Sequence, residues 1–218
     1  MAFFYLSNEK MLQNYGAMFE NLTKDTLLAN ELAEYGYDKT EIDKGKALYE
    51  KARELYALNL KETREETSAL MAFREKYEAI TKLYATHRKK ARVIFIENEE
   101  ALRNLKLKGT APKVISTLIE QMRDFYTVLT ETESYKTALR QLKLTEQDYT
   151  DQLSNIVKAE KLYADYLQEK GESQQATKNK DMAINDLDKW GKRLYAIAKI
   201  VFEEQPQLLE SIGKIVKS

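Results

Sequence analysis

His87 is the only histidine in the 218-residue sequence, and it falls at helical spacing beside Tyr84, Ala91 and Ile94. An imidazole there could act as a general acid or base if burial and a neighbouring carboxylate tuned its pKa. No nucleophile or second acid stands at a readable spacing from it, so a packed or hydrogen-bonded core histidine is the favoured reading. Tyr84 and His87 are kept as a polar seam that a ligand-binding or catalytic bundle would use. Next in sequence comes the strongest local charge feature, Arg88, Lys89, Lys90 and Arg92, leading directly into Val93-Ile94-Phe95-Ile96. Such a run can meet phosphates or an anionic membrane surface, although a solvated outer helix face is the simpler reading. Fourteen tyrosines supply the remaining chemistry. Tyrosine offers large contact area with little rotamer freedom to lose, which suits partner recognition, and it also sits commonly at the rim of a core. Tyr56, Tyr163 and the single tryptophan, Trp190, are the aromatic interaction candidates.

Metal and cofactor chemistry finds little support. A di-iron bundle needs two Glu-x-x-His motifs, which one histidine cannot supply. With no cysteine there is no thiolate zinc site, thiol nucleophile or disulfide framework. Asp38 to Glu50 departs from a calcium loop at Thr40 and Ile42. Glu97, Asn98, Glu99 and Glu100 point in several helical directions and read as a solvated face. No glycine-rich phosphate cradle or G-x-S-x-G elbow is present. No catalytic, cofactor or metal residue is therefore assigned, and the balance is against an enzyme.

Lysine plus arginine equals aspartate plus glutamate at 35 each, so no long-range field points to nucleic acid. No segment approaches the ~20 apolar residues of a membrane span, and MAFFYLSNEK lacks the basic start and sustained apolar region of a secretory signal. The expectation is a cytoplasmic protein.

The elements that must carry these residues are helices, because two prolines and seven glycines leave little to interrupt a chain with apolar residues at spacings of three and four. A first helix from an N-cap at Ser7 is expected to run through Leu12, Tyr15, Phe19, Leu22 and Ala29 and to stop at Gly36. Asp38 with Glu41 starts a second. Its phase continues unbroken to Leu105, but the polar stretch Asn59 to Ser68 predicts a turn, as does Gln168 to Lys180 around Gly171. The alternative is four helices, two of them very long. Gly109 and Pro112 mark a linker, with Pro112 suited to the first turn of the next helix. Thr145 with Asp148 caps a later helix, Pro206 ends or bends the last long one, and Leu208, Leu209, Ile212 and Ile215 form a short amphipathic tail.

ALYEKARELYALNL, residues 47–60, recurs as SNIVKAEKLYADYL, residues 154–167, so that Lys51, Ala52, Leu55, Tyr56, Ala57 and Leu60 match residues 107 positions later. Leu22 and Leu129, Ala91 and Ala198, and Phe95 and Phe202 match at the same offset. The expected fold is all-α: an elongated, coiled-coil-like antiparallel bundle of two tandem three-helix repeats, residues 1–108 and 109–218, from an internal duplication. The function expected of it is a non-enzymatic scaffold or adaptor binding a protein partner or its own copy along helix faces. The alternative is a membrane-surface protein using amphipathic helices near Lys82 to Ile96 and Leu194 to Phe202.

Overall fold

A computed structural model describes residues 7–212, so Ile215 of the expected tail lies outside the described residues. The fold is all-α, with no strand among the described residues. The helices are α1 (Asn8–Lys24), α2 (Thr26–Glu34), α3 (Lys39–Ile94), α4 (Glu99–Asn104), α5 (Ile115–Glu131), α6 (Glu133–Arg140), α7 (Glu146–Val201) and α8 (Leu208–Ser211).

The starts follow from capping, which satisfies backbone N–H groups that have no partner in the first turn. Ser7 Oγ accepts from Lys10 N at 3.3 Å, and Asp38 accepts from Glu41 N at 2.9 Å. Thr145 and Asp148 form a reciprocal box: the Thr145 N–H donates to the Asp148 carboxylate at 2.7 Å, and the Asp148 N–H donates to the Thr145 hydroxyl at 3.4 Å. Gly36 ends α2 at φ +89°, and Tyr37 N reaches Leu32 O at 3.1 Å. This is the left-handed exit that glycine makes without strain.

Several expected boundaries are corrected. The first expected helix is two, because Asp25 accepts from both Leu27 N and Leu28 N at 3.1 Å and so starts α2. The phase reaching Leu105 is likewise divided. Asn98 caps a separate α4 by accepting from Ala101 N at 2.9 Å. Pro112 stands ahead of α5 rather than in its first turn, and α7 stops at Val201, before Pro206.

The largest correction concerns the expected turns. Asn59 to Ser68 and Gln168 to Lys180 are both helical, and α3 and α7 each run for 56 residues. Apart from Thr63 and Thr67, LKETREET is built from side chains that lose little freedom in a helix, and one glycine, Gly171, costs only about 1 kcal/mol relative to alanine. The polar stretch also has something to pair with: Asn59 Nδ2 donates to Thr177 Oγ1 at 2.9 Å.

Packing groups the helices into two compact units that do not follow the halves of the chain. The first comprises residues 1–63 and 172–218 and the second residues 64–171. Each therefore takes part of α3 and part of α7. In the first unit Leu12, Tyr15, Met18, Phe19, Leu22, Leu28 and Leu32 are buried with Ala52, Leu187, Leu194 and Ala198. In the second, Ile119, Met122, Phe125, Tyr126, Leu129, Tyr135 and Leu139 are buried with Ile80, Ala91 and Ala159. These two lists of seven correspond one to one at a spacing of 107 residues.

The exit of α6 has the same form as that of α2 but places a lysine where α2 has Gly36. Lys143 is at φ +54° and exposed, and Leu144 N reaches Leu139 O at 3.3 Å. A β-carbon in the left-handed region is strained. Lys143→Gly is therefore expected to raise stability by up to about 1 kcal/mol, the strain relief exceeding glycine's extra unfolded-state entropy. Urea denaturation checks this, and an unchanged or lowered midpoint would contradict it.

Candidate functional site

The polar groups converge in the second unit, where the last turns of α3 meet α5 and the start of α7. His87 is 6% exposed, with its Nδ1 3.0 Å from the Tyr126 hydroxyl and the two rings nearly perpendicular at 87°. Tyr126 in turn packs edge-on against Tyr84 and Phe125. The Tyr84 hydroxyl accepts from Gln121 Nε2 at 2.8 Å.

Burial pushes the His87 pKa down, and Lys90 adds to this while Asp148 opposes it. Burial drives the Tyr126 phenol upward. Both groups are neutral near pH 7 and satisfy one another. Burial works against ionisation of Asp148 too, but the N–H and hydroxyl of Thr145 hold its carboxyl below the usual range. That carboxylate is engaged in capping α7.

The structure separates the members of the basic run. Arg88 is only 7% exposed. Its Nη2 donates to the carbonyls of Lys106, Leu107 and Gly109 at 2.9, 3.3 and 3.3 Å. Arg92 Nε donates to Leu107 O at 2.7 Å, and its Nη2 to Gly109 O. Two arginines one helical turn apart thus hold the chain that leaves α4. Lys89 is exposed and Lys90 half-buried. Nothing in periodicity signalled this clamp, because its acceptors lie in an irregular segment.

The aromatic candidates are dispersed. Trp190 belongs to the core of the first unit, stacked on Phe19 with ring centres 5.5 Å apart, and its Nε1 donates to Glu41 at 3.2 Å. A β-carbon on Gly45 would fall 2.2 Å from its ring, so the indole occupies the space that glycine leaves. Tyr56 is half-buried in the same unit. Tyr163 lies in the second unit with its ring centre 4.9 Å from that of Phe73, which also packs on Tyr77 and Tyr166. Phe73 was missed as the centre of that cluster, since on the seam it reads as one more apolar residue.

A cleft of about 410 Å³ opens beside the polar seam, with Tyr84, Arg88, Lys89 and Arg92 among its lining residues. His87 is not part of its wall. Compared with known proteins, the chain matches no family, no curated protein and no solved structure.

At the positions of His87 and Tyr126 the first unit buries Leu194 and Phe19. His87→Leu alone leaves the Tyr126 hydroxyl buried without a partner and is expected to cost on the order of 1–3 kcal/mol. His87→Leu with Tyr126→Phe is expected to recover most of that. The pH response has a fixed sign. The folded state lowers the His87 pKa, so the unfolded chain takes up a proton first, starting near the ordinary value of about 6.5. The contribution of His87 is complete above that value and is lost as pH falls from it toward the depressed folded value. Thermal midpoints from pH 8 to 5 should therefore fall further in the parent than in the double variant. Parallel curves would refute the assignment.

Proposed function

We propose that the protein is a non-enzymatic cytoplasmic scaffold whose helix faces bind a protein partner or a second copy of the chain. The observation that carries this reading is the set of apolar side chains left outside the cores. In the second unit Met71 and Val93 of α3 are more than half exposed, as are Ile96 and Val114. In the first unit Met182 and Ile200 of α7 are more than half exposed. Met182 and Ile200 are about five turns apart at 3.6 residues per turn, so this pair shares a face of its helix. Single exposed apolar residues are ordinary. Repetition on one face, and concentration at the end of α3, are what favour a contact surface.

Internal duplication accords with the same architecture. Lys39–Ile94 and Glu146–Val201 begin and end 107 residues apart, as do Asn8–Lys24 and Ile115–Glu131. We infer that residues 1–108 and 109–218 derive from one ancestral segment. Profiles built separately from relatives of each half should converge, and profiles that do not would remove this inference.

A second reading, attachment to an anionic membrane surface, is favoured by the basic run next to Val93 and Ile96. Tyr84, Ala91 and Phe95 are buried, so the apolar face of α3 would reach lipid only after leaving its core. No described helix is long and apolar enough to cross a membrane.

Val93→Glu with Ile96→Glu tests the scaffold. Surface changes of this kind usually alter stability by less than about 0.5 kcal/mol, so folding should persist. Light scattering is expected to show a concentration-dependent mass above 25.4 kDa, or cross-linking a partner, with either signal lost in the variant. A strict monomer whose cross-linking pattern matches that of the variant would sink the proposal. Flotation with anionic vesicles at physiological salt, if positive, would favour the membrane reading instead.

A further inference from the structure

Arg88 carries a buried charge, and among the described residues no carboxylate acts on it. Burial pulls its pKa down and the like-charged Arg92 adds to this, while the neighbouring Tyr84 hydroxyl opposes it. A buried cation without a counter-ion is costly, and backbone carbonyls compensate only in part. All three carbonyl contacts fall on a single nitrogen, Nη2, whereas a guanidinium offers five donors. Arg88 Nε is buried and makes none of these carbonyl contacts, and the Tyr84 hydroxyl is the side-chain oxygen within its reach.

Arg88 and Thr81 both line the cleft beside the polar seam. Lys89 and Arg92 add positive charge to its wall, no acidic residue lines it, and Tyr84 and Leu118 give it an apolar side. Its volume of about 410 Å³ falls within the usual range for small-ligand sites. Carbonyl clamping explains why two arginines are here. It leaves the positive charge gathered along the cleft without an acidic counterpart in its wall. The corresponding position in the first unit is Tyr195, whose ring lies 6.4 Å from that of Tyr15, and Ala196 stands where the second unit has Lys89, so two of the three cations belong to the second unit alone.

We propose that this cleft binds a small organic anion, with its carboxylate or phosphate head held by Arg88, Lys89 and Arg92 and a short apolar body against Tyr84 and Leu118. Guanidinium groups bind such heads through paired donors, and the head would supply the missing counter-charge. The apolar wall selects against a bare inorganic ion. This site does not depend on the scaffold reading, since none of Met71, Val93, Ile96 and Val114 lines it.

Octanoate and octyl phosphate are the probes, titrated calorimetrically into the full chain. At least one should bind saturably, with amide NMR shifts concentrated in residues 81–92 and 107–118, and the stronger of the two identifies the head group. Octanol and octylammonium should bind at least tenfold more weakly. Lys89→Glu changes an exposed residue outside the carbonyl clamp and should weaken the anion at least tenfold with an unchanged unfolding midpoint. Arg88→Lys retains the charge but removes the fork, and should also weaken binding, with circular dichroism verifying the fold. Octanol binding as tightly as octanoate, undiminished binding by Lys89→Glu, or shifts centred elsewhere would each overturn the proposal. So would attachment to anionic vesicles with no binding of either soluble anion.

Discussion

The structure depends on one row of positions held at seven-residue spacing along each long helix. On α3 the row is Gly45, Ala52, Asn59, Glu66, Phe73, Ile80 and His87, all buried except the half-buried Glu66. On α7 it is Gln152, Ala159, Tyr166, Ser173, Lys180, Leu187 and Leu194, with only Tyr166 and Lys180 half-buried. A strict repeat of seven keeps an inward face continuous, whereas an ideal straight helix would drift about 20° per repeat. Inward position, not apolarity, is what persists. Asn59 is accommodated because Thr177 meets it, and the polar middle of the helix stays helical.

Where the two units differ, the differences occur in compensating pairs. In the first, Tyr15 fills space against Gly191, where a β-carbon would lie 1.9 Å from its hydroxyl oxygen. The residues 107 positions removed are Met122 and Tyr84, so the bulky ring moves to the other member of the pair. His87 and Tyr126 replace Leu194 and Phe19 in the same reciprocal way. Close-packed interiors demand this, since volume added on one side must be removed on the other and a buried polar group must bring its partner.

The sequence made some of this legible and concealed the rest for physical reasons. Caps at Ser7, Asp38 and Thr145 are local, three residues across, and could be read directly. Helical phase could be read as well, and through Asn59 to Ser68 it was the correct signal, while polarity was the misleading one. Side-chain identity says little about burial once the pairing partner lies 118 residues away, as for Asn59 and Thr177. Asp25 was hidden because an aspartate can cap a new helix or stand on a solvated face, and spacing alone does not choose. Trp190 reads as a rim residue until Gly45 is seen opposite it.

The basic run shows the same limit at the candidate site. Four cations in five positions on a helix must face in several directions, so the reading of the run as one solvated face fails at Arg88, which is buried. Which chemistry that inward charge meets is decided by residues 106–109, an irregular segment without periodicity. Its carbonyls make a buried guanidinium tolerable, and all three meet it at Nη2. The counterpart Tyr195 needs no such acceptors, because burial simply keeps its phenol neutral with a pKa pushed up to about 12. One position therefore carries a fixed charge in one unit and a neutral ring in the other. Only the charged version calls for a counter-ion, and only the second unit carries it.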